Sequence, residues 1–341
     1  MKQHTTMQEV AGPWSLATSR TFWEGFAPAA LPDQGEAAEL RTVFLVDNDW
    51  SRAAATVRQD GSTARITVAG DGDLHAAATQ TARFLSLDVD GRGWPAVGDR
   101  DPIIGAAQQH LPGLRPCGFH SPYEAAAWAV LSQRIRITQA AGLRNDLIRR
   151  HGHDGAFPAP DRLRTLQLDL PGRKVEYLHA VADAALDGLL DGSRLRDLDP
   201  EAAVAQVQQV KGLGPFAAEL VVIRGANHPD ALPHHEARLD AEIVEQYGPA
   251  TTLIQVAPAW RPYRTWAAVH LRSLREQRTH EISGRSTTSA THPRSTIAAT
   301  SGSAADRALL SITVDGTSRR CIVPMTVVSK PSRSAAARRG P

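Results

Sequence analysis

Apolar and polar residues alternate in two neighbouring stretches, Ala55-Thr-Val57 and Ala64-Arg-Ile-Thr-Val68, separated by Gln59-Asp-Gly-Ser62. A period of two around a glycine-containing turn predicts a β-hairpin. The apolar run Val43-Phe-Leu-Val46 adds another strand, and a helix is expected near 74–86. An Asp/Gly-rich connector, Asp88 to Trp94, then marks an edge. Together these predict a β-rich α+β domain over residues 1–100.

Beyond Asp101 the pattern changes to apolar positions at helical spacing between short Pro/Gly loops. The clearest start is Ser121-Pro-Tyr-Glu124, with a capping hydroxyl, proline at the first helical position and glutamate where a capping box needs it. That helix should run toward Leu131. The next, from Ile137 to Arg150, carries Ile137, Ala140, Ala141, Leu147 and Ile148 and stops at His151-Gly152. Further helices are expected at 172–187, 200–209, 215–224, 236–247 and 262–277. The segment 101–280 therefore reads as all-α.

From 277 onward 20 of 65 residues are Ser or Thr, and one apolar stretch, Ala308 to Val314, does not make a core. Residues 281–341 are expected to be a disordered basic tail, with a DNA-affinity arm as the sharper reading. The formal net charge of +2 hides this division. Ten basic and three acidic residues lie from 277 onward, leaving 28 and 33 before it, so the body is mildly acidic. Two cysteines exclude a disulfide framework, a four-cysteine zinc site and a cysteine-held iron–sulfur cluster. No stretch approaches eighteen apolar residues and the N-terminus lacks an apolar signal region, so no membrane role is expected and, with so few cysteines, a cytoplasmic location is.

The segment richest in chemistry is Val210-Lys-Gly-Leu-Gly-Pro-Phe-Ala-Ala-Glu-Leu-Val-Val-Ile-Arg-Gly225. Its Gly-x-Gly turn opens a helix, and backbone N–H groups there can hold a phosphate beside Lys211. A purely structural αα-hairpin is the bland reading. His234 and His235 are adjacent, share no face and lack a third partner at ligand spacing, so no side-chain metal site is expected.

Lys211-Gly-Leu-Gly-Pro-Phe-Ala-Ala-Glu-Leu220 resembles the helix-hairpin-helix of the DNA glycosylase superfamily. In the same order, Ser121 to Arg134, Lys174-Val-Glu-Tyr-Leu178, Asp230-Ala-Leu-Pro-His-His-Glu-Ala-Arg-Leu239 and Trp260-Arg-Pro-Tyr-Arg-Thr-Trp266 are similar to segments of its AlkA type. The resemblance covers about residues 10–280. It implies an AlkA-like N-terminal domain, and a monomeric, monofunctional glycosylase that flips alkylated purines, 3-methyladenine-like, out of damaged double-stranded DNA for base-excision repair.

Carried over residue by residue, the resemblance places the catalytic carboxylate at Glu236, where the family has aspartate, with Asp240 as the fallback. Either acid is otherwise a helix-start acid favoured by the dipole. DNA contacts fall to Lys211, Gly212, Leu213, Gly214, Gln133 and the wedge residue Arg134, unless Arg134 is simply a solvated helix-end arginine. The base pocket falls to Phe216, Leu220, Tyr123 and Arg272, of which Phe216 and Tyr123 serve equally well as core. Phe216 stands where strand-cutting members place a lysine, so no Schiff base and no lyase activity are expected. No cofactor is implied except a monovalent cation on hairpin carbonyls. The rival readings are a catalytically weak or inactive lesion-binding protein of this fold and a glycosylase for a different damaged purine.

Overall fold

The computed structural model describes residues 2–26, 28, 38–281, 312–314 and 317–319. Residues Met1–Thr287 form one compact unit and Thr288–Pro341 a second. The expected disordered tail falls mostly outside the described residues. Within it, Ile312–Val314 and Thr317–Arg319 pair as short antiparallel strands, a departure from the expectation that follows the β-branched end of the Ala308–Val314 run.

The first unit opens with strand β1 (Lys2–Glu9) and helix α1 (Leu16–Glu24). Strands β2 (Glu39–Leu45), β3 (Arg52–Asp60) and β4 (Thr63–Gly70) complete an antiparallel sheet in the order β1-β4-β3-β2. The predicted hairpin is β3–β4, with Val57 opposite Ile66 and Ala55 opposite Val68. These four and Ala53 and Ala64 bury one face of the sheet, which the period of two requires. Helix α2 (Leu74–Phe84), capped by Asp73, packs on that face.

The connector 85–93 is tied down by Arg115. Its buried guanidinium donates to the carbonyls of Ser86, Val89, Ala11 and Pro13 and lies 5.2 Å over the Trp266 ring. Burial lowers its pKa to about 10, which still leaves it a cation at neutral pH.

The helical body follows as α3 (Trp94–Arg100), α4 (Pro102–His110), α5 (Pro122–Leu131), α6 (Ile137–His151), α7 (Pro160–Leu163), α8 (Lys174–Leu186), α9 (Gly192–Asp197), α10 (Pro200–Gln208), α11 (Pro215–Leu220), α12 (Ala237–Tyr247), α13 (Leu253–Val256) and α14 (Arg264–Thr279). Helix α5 begins as predicted, the Ser121 hydroxyl accepting from the Glu124 N–H at 3.1 Å. The return half of the capping box is absent. Glu124 instead meets Arg144 at 2.8 Å and His120 at 3.5 Å inside the core. Burial alone would push its carboxyl up, but these two partners outweigh it and hold the group at about 2.

Helix α11 does not stop at Leu220. It continues as a wide turn over Val221–Gly225, in which the Ala226 N–H reaches back five residues to Val221 O. Gly225 sits in that turn because a Cβ there would press on the Pro122 backbone of α5 at 2.7 Å.

Candidate active-site cleft

The hairpin is the turn between α10 and α11. Gly212 has φ +93° and faces the Tyr177 ring so closely that a Cβ would overlap it, so only glycine fits. Leu213 is buried and its N–H donates to Val210 O; its role is to anchor the turn, and it offers phosphate neither side chain nor amide. The N–H groups of Gly212 and Gly214 have no hydrogen-bond partner among the described residues. Lys211 is exposed, and its Nζ lies 2.5 Å from Glu176 Oε1.

The α5–α6 turn lies against this hairpin. Gln133 Nε2 donates to Gly212 O at 2.9 Å, and Arg134 is exposed with a left-handed φ of 57°. Beneath them Lys174 Nζ donates to the carbonyls of Val130, Leu131 and Gln133 at 2.8–2.9 Å. A buried ammonium thus closes the C-terminus of α5, where helix carbonyls need partners.

The loop from the wide turn to α12 is anchored at both ends. Asn227 Nδ2 donates to the carbonyls of Arg83, Phe84 and Pro116 and to Ser86 Oγ. Asp230 accepts the Arg264 N–H at the start of α14 and pairs with the Arg261 and Arg264 side chains. Nearer the end, buried Glu219 accepts from the His235 backbone N–H at 3.0 Å and meets its Nδ1 at 2.7 Å. These contacts present Glu236 as the N-cap of α12, its Oε1 accepting from the Arg238 N–H at 3.1 Å.

Glu236 faces a cleft of about 900 Å³ bounded by Phe216, Glu219 and Leu220 of the hairpin helix, Trp128 of α5, Phe22 of α1 and Arg272 of α14. Phe216 is 49% exposed and offers a ring face to an occupant. Arg272 Nε lies 3.9 Å from Glu236 Oε1. Arg224, from the wide turn, reaches the same cleft, its guanidinium 4.3 Å over the Phe26 ring. Burial lowers the pKa of Arg224 to about 10 and also lowers that of Arg272, the latter against the pull of Glu236. A carboxylate at a helix N-terminus, facing an apolar cleft with aromatic walls, can stabilise positive charge that develops on an occupant.

Two expected site residues are elsewhere. Tyr123 is fully buried, its hydroxyl donating to Pro158 O at 2.8 Å and its ring against Trp50 and Phe157. It is core, because the Ser121 cap sets α5 with that position inward. Asp240 is exposed and does not line the cleft, since α12 turns it outward while Glu236 faces in. Glu219, Trp128 and Arg224 line the cleft without having been anticipated. Glu219 and Arg224 were signalled only as charges within the apolar run Ala217–Gly225. Among the described residues no His/Cys/Asp/Glu group is arranged to hold a metal, and no helix is long and apolar enough to cross a membrane.

No family model matches the chain. The probable bifunctional transcriptional activator/DNA repair enzyme AlkA of Mycobacterium tuberculosis is 29% identical over 215 residues, 58% of this chain and 42% of that protein. The chain therefore spans less than half the length of that curated relative. Among solved structures, the 3-methyladenine DNA-glycosylase of Archaeoglobus fulgidus matches with a TM-score of 0.62 at 17% identity, covering 80% of this chain and 98% of that one. The 8-oxoguanine glycosylase/lyase of Clostridium acetobutylicum, bound to double-stranded DNA, matches with a TM-score of 0.56 at 14% identity over 81% and 98%. The fold is that of the helix-hairpin-helix DNA glycosylases. Within that class the chain is similar in sequence to AlkA.

Proposed function

We propose that the chain is a monofunctional DNA N-glycosylase acting on damaged purines in duplex DNA, alkylated purines among them, by base flipping. The observation that carries this reading is the Glu236 carboxylate, presented at the N-terminus of α12 to a cleft walled by the hairpin helix. In it, the Gly212 and Gly214 amides and Lys211 take the phosphate backbone, Lys211 exchanging Glu176 for phosphate. The Gln133–Arg134 turn fills the vacated stack, and the base enters against Phe216, Leu220 and Trp128. Glu236 then stabilises the oxocarbenium-like sugar and receives a proton from the attacking water.

Hydrolysis without strand cutting is supported by the absence of lysine from the cleft lining among the described residues. Lys174 is buried under α5 and Lys211 pairs outward with Glu176, so neither of these amines is placed to form a Schiff base. A monovalent cation on the hairpin suits the carbonyls of Val210 and Gly212, each engaged by one donor and retaining a lone pair.

The test is release of free 3-methyladenine from methylated duplex DNA. Release by the full chain, reduced about a hundredfold or more in Glu236→Gln, is expected. No release at stoichiometric protein overturns the reading. A lesion-binding protein without turnover is the second reading, favoured by the extra methylene of glutamate and by the engagement of Oε1 with Arg238 and Arg272.

A further inference from the structure

Glu219 has no part in the chemistry above, yet it is a carboxylate buried within the run Ala217, Ala218, Val221 and Val222. Burying such a charge is costly, and a buried ion pair adds little stability over an apolar side chain of similar size. A charge kept there is better accounted for by what it holds in place. Both of its oxygens go to one residue: Oε2 accepts the His235 backbone N–H at 3.0 Å, and Oε1 lies 2.7 Å from His235 Nδ1. The His235 side chain is half-exposed, so the carboxylate and not burial sets its place.

His235 immediately precedes Glu236, the N-cap of α12, and Glu219 stands on α11, the helix that opens at Gly214 of the hairpin. Among the described residues, the hydrogen bonds that join 233–235 to another element are the two made with Glu219. The His234 N–H turns back to Leu232 O within the loop. Resting on the glycosylase reading, we propose that Glu219 is a positioning residue that, through His235, locks the Glu236 carboxylate to the hairpin that grips DNA. Phosphate bound at the Gly212 and Gly214 amides then fixes, along one short helix, where the carboxylate meets the sugar. With both oxygens engaged, Glu219 acts on the reaction only through His235. A displacement of about 1 Å at the carboxylate costs on the order of a hundredfold in rate.

The experiment measures single-turnover release of 3-methyladenine from methylated duplex DNA by the full chain. Glu219→Ala should lower the saturating rate about thirtyfold or more and leave the half-saturating concentration within about threefold. Glu219→Gln should recover most of that loss, since glutamine accepts the His235 N–H through its oxygen and donates through its amide to a neutral Nδ1. His235→Ala, which keeps the backbone bond, should fall between, and adding it to Glu219→Ala should cost nothing further. Glutamine no better than alanine, additive losses, or a rate within about twofold of native in Glu219→Ala overturns the proposal.

Binding reads the same placement without turnover. A duplex holding a pyrrolidine abasic nucleotide presents a ring ammonium where the sugar cation forms, and one holding tetrahydrofuran presents no charge. The native chain should prefer the first by about tenfold or more. Glu219→Ala should lose that preference, with tetrahydrofuran binding kept within about threefold, and Glu219→Gln should regain it. No preference in the native chain, or an unchanged one in Glu219→Ala, overturns the proposal. Absence of base release from the native chain with this pattern of binding intact defeats the glycosylase reading and leaves the clamp supported.

Discussion

Replacing Lys174 by methionine keeps the length of the side chain and removes the ammonium that closes α5. Three carbonyls, those of Val130, Leu131 and Gln133, then lose a charged donor at 2.8–2.9 Å. Val130 O keeps the Gln133 N–H at 3.3 Å, so the buried acceptor left unpaired is Leu131 O, at roughly 1–3 kcal/mol. The Gln133 carbonyl is nearer solvent, and water replaces much of its bond. Against this stands the relief of a buried cation, since burial lowers the Lys174 pKa. The balance is a loss of about 1–2 kcal/mol, most of it in the α5–α6 turn. Urea unfolding at neutral pH measures it, with an unchanged slope and a lower midpoint expected. Because Gln133 bonds to Gly212 from that turn, affinity for an abasic-analogue duplex should fall by about tenfold in parallel. A loss below about 0.5 kcal/mol would show that the three bonds do not hold the turn.

Gly212→Ala should destabilise by about 2–4 kcal/mol, combining a left-handed backbone with overlap on Tyr177, while Gly214→Ala, with open space around it, should stay within about 0.5 kcal/mol; thermal melts compare the two. The Glu124 carboxyl, held at about 2 against 4.5 when unfolded, contributes stability that is complete above pH 4.5 and lost as pH falls toward 2. That contribution is of order 3 kcal/mol, and urea titrations at pH 5 and pH 3 should show Glu124→Gln flattening the difference. Removing residues 288–341, with eight basic and two acidic residues, should weaken DNA binding and lower its salt dependence while sparing base release, as filter binding across a salt series would report.

The sequence patterns were legible where one face of an element is buried and the other is not. The β3–β4 hairpin and helices α6, α8, α10, α12 and α14 follow from that contrast, and α5, buried on every face, from its Ser121 cap; the short α7 and α9 were not anticipated. Strand β1 escaped notice because it is an edge strand: Lys2–Glu9 has few apolar residues, and its alternation is of exposed and half-buried positions. Helices α3 and α4 escaped because they are short and share Asp101, which ends one and caps the other. The hairpin and Glu236 were recognisable as motifs. The rest of the cleft was not, since Trp128, Glu219 and Arg224 come together only through tertiary packing, and an arginine within Val221-Val-Ile-Arg-Gly225 has no periodicity of its own to announce it.

The wide turn at Val221–Gly225 also fixes the chain's tolerance to changes of length. An α-helix advances about 100° per residue, so a single deletion there would tighten the turn and swing every later residue about a third of a revolution. Arg224 would leave the cleft, Gly225 would no longer meet Pro122, and the loop to Glu236 would start from a different side of the helix. In this turn, then, the number of residues is fixed as firmly as the glycine that closes it against Pro122.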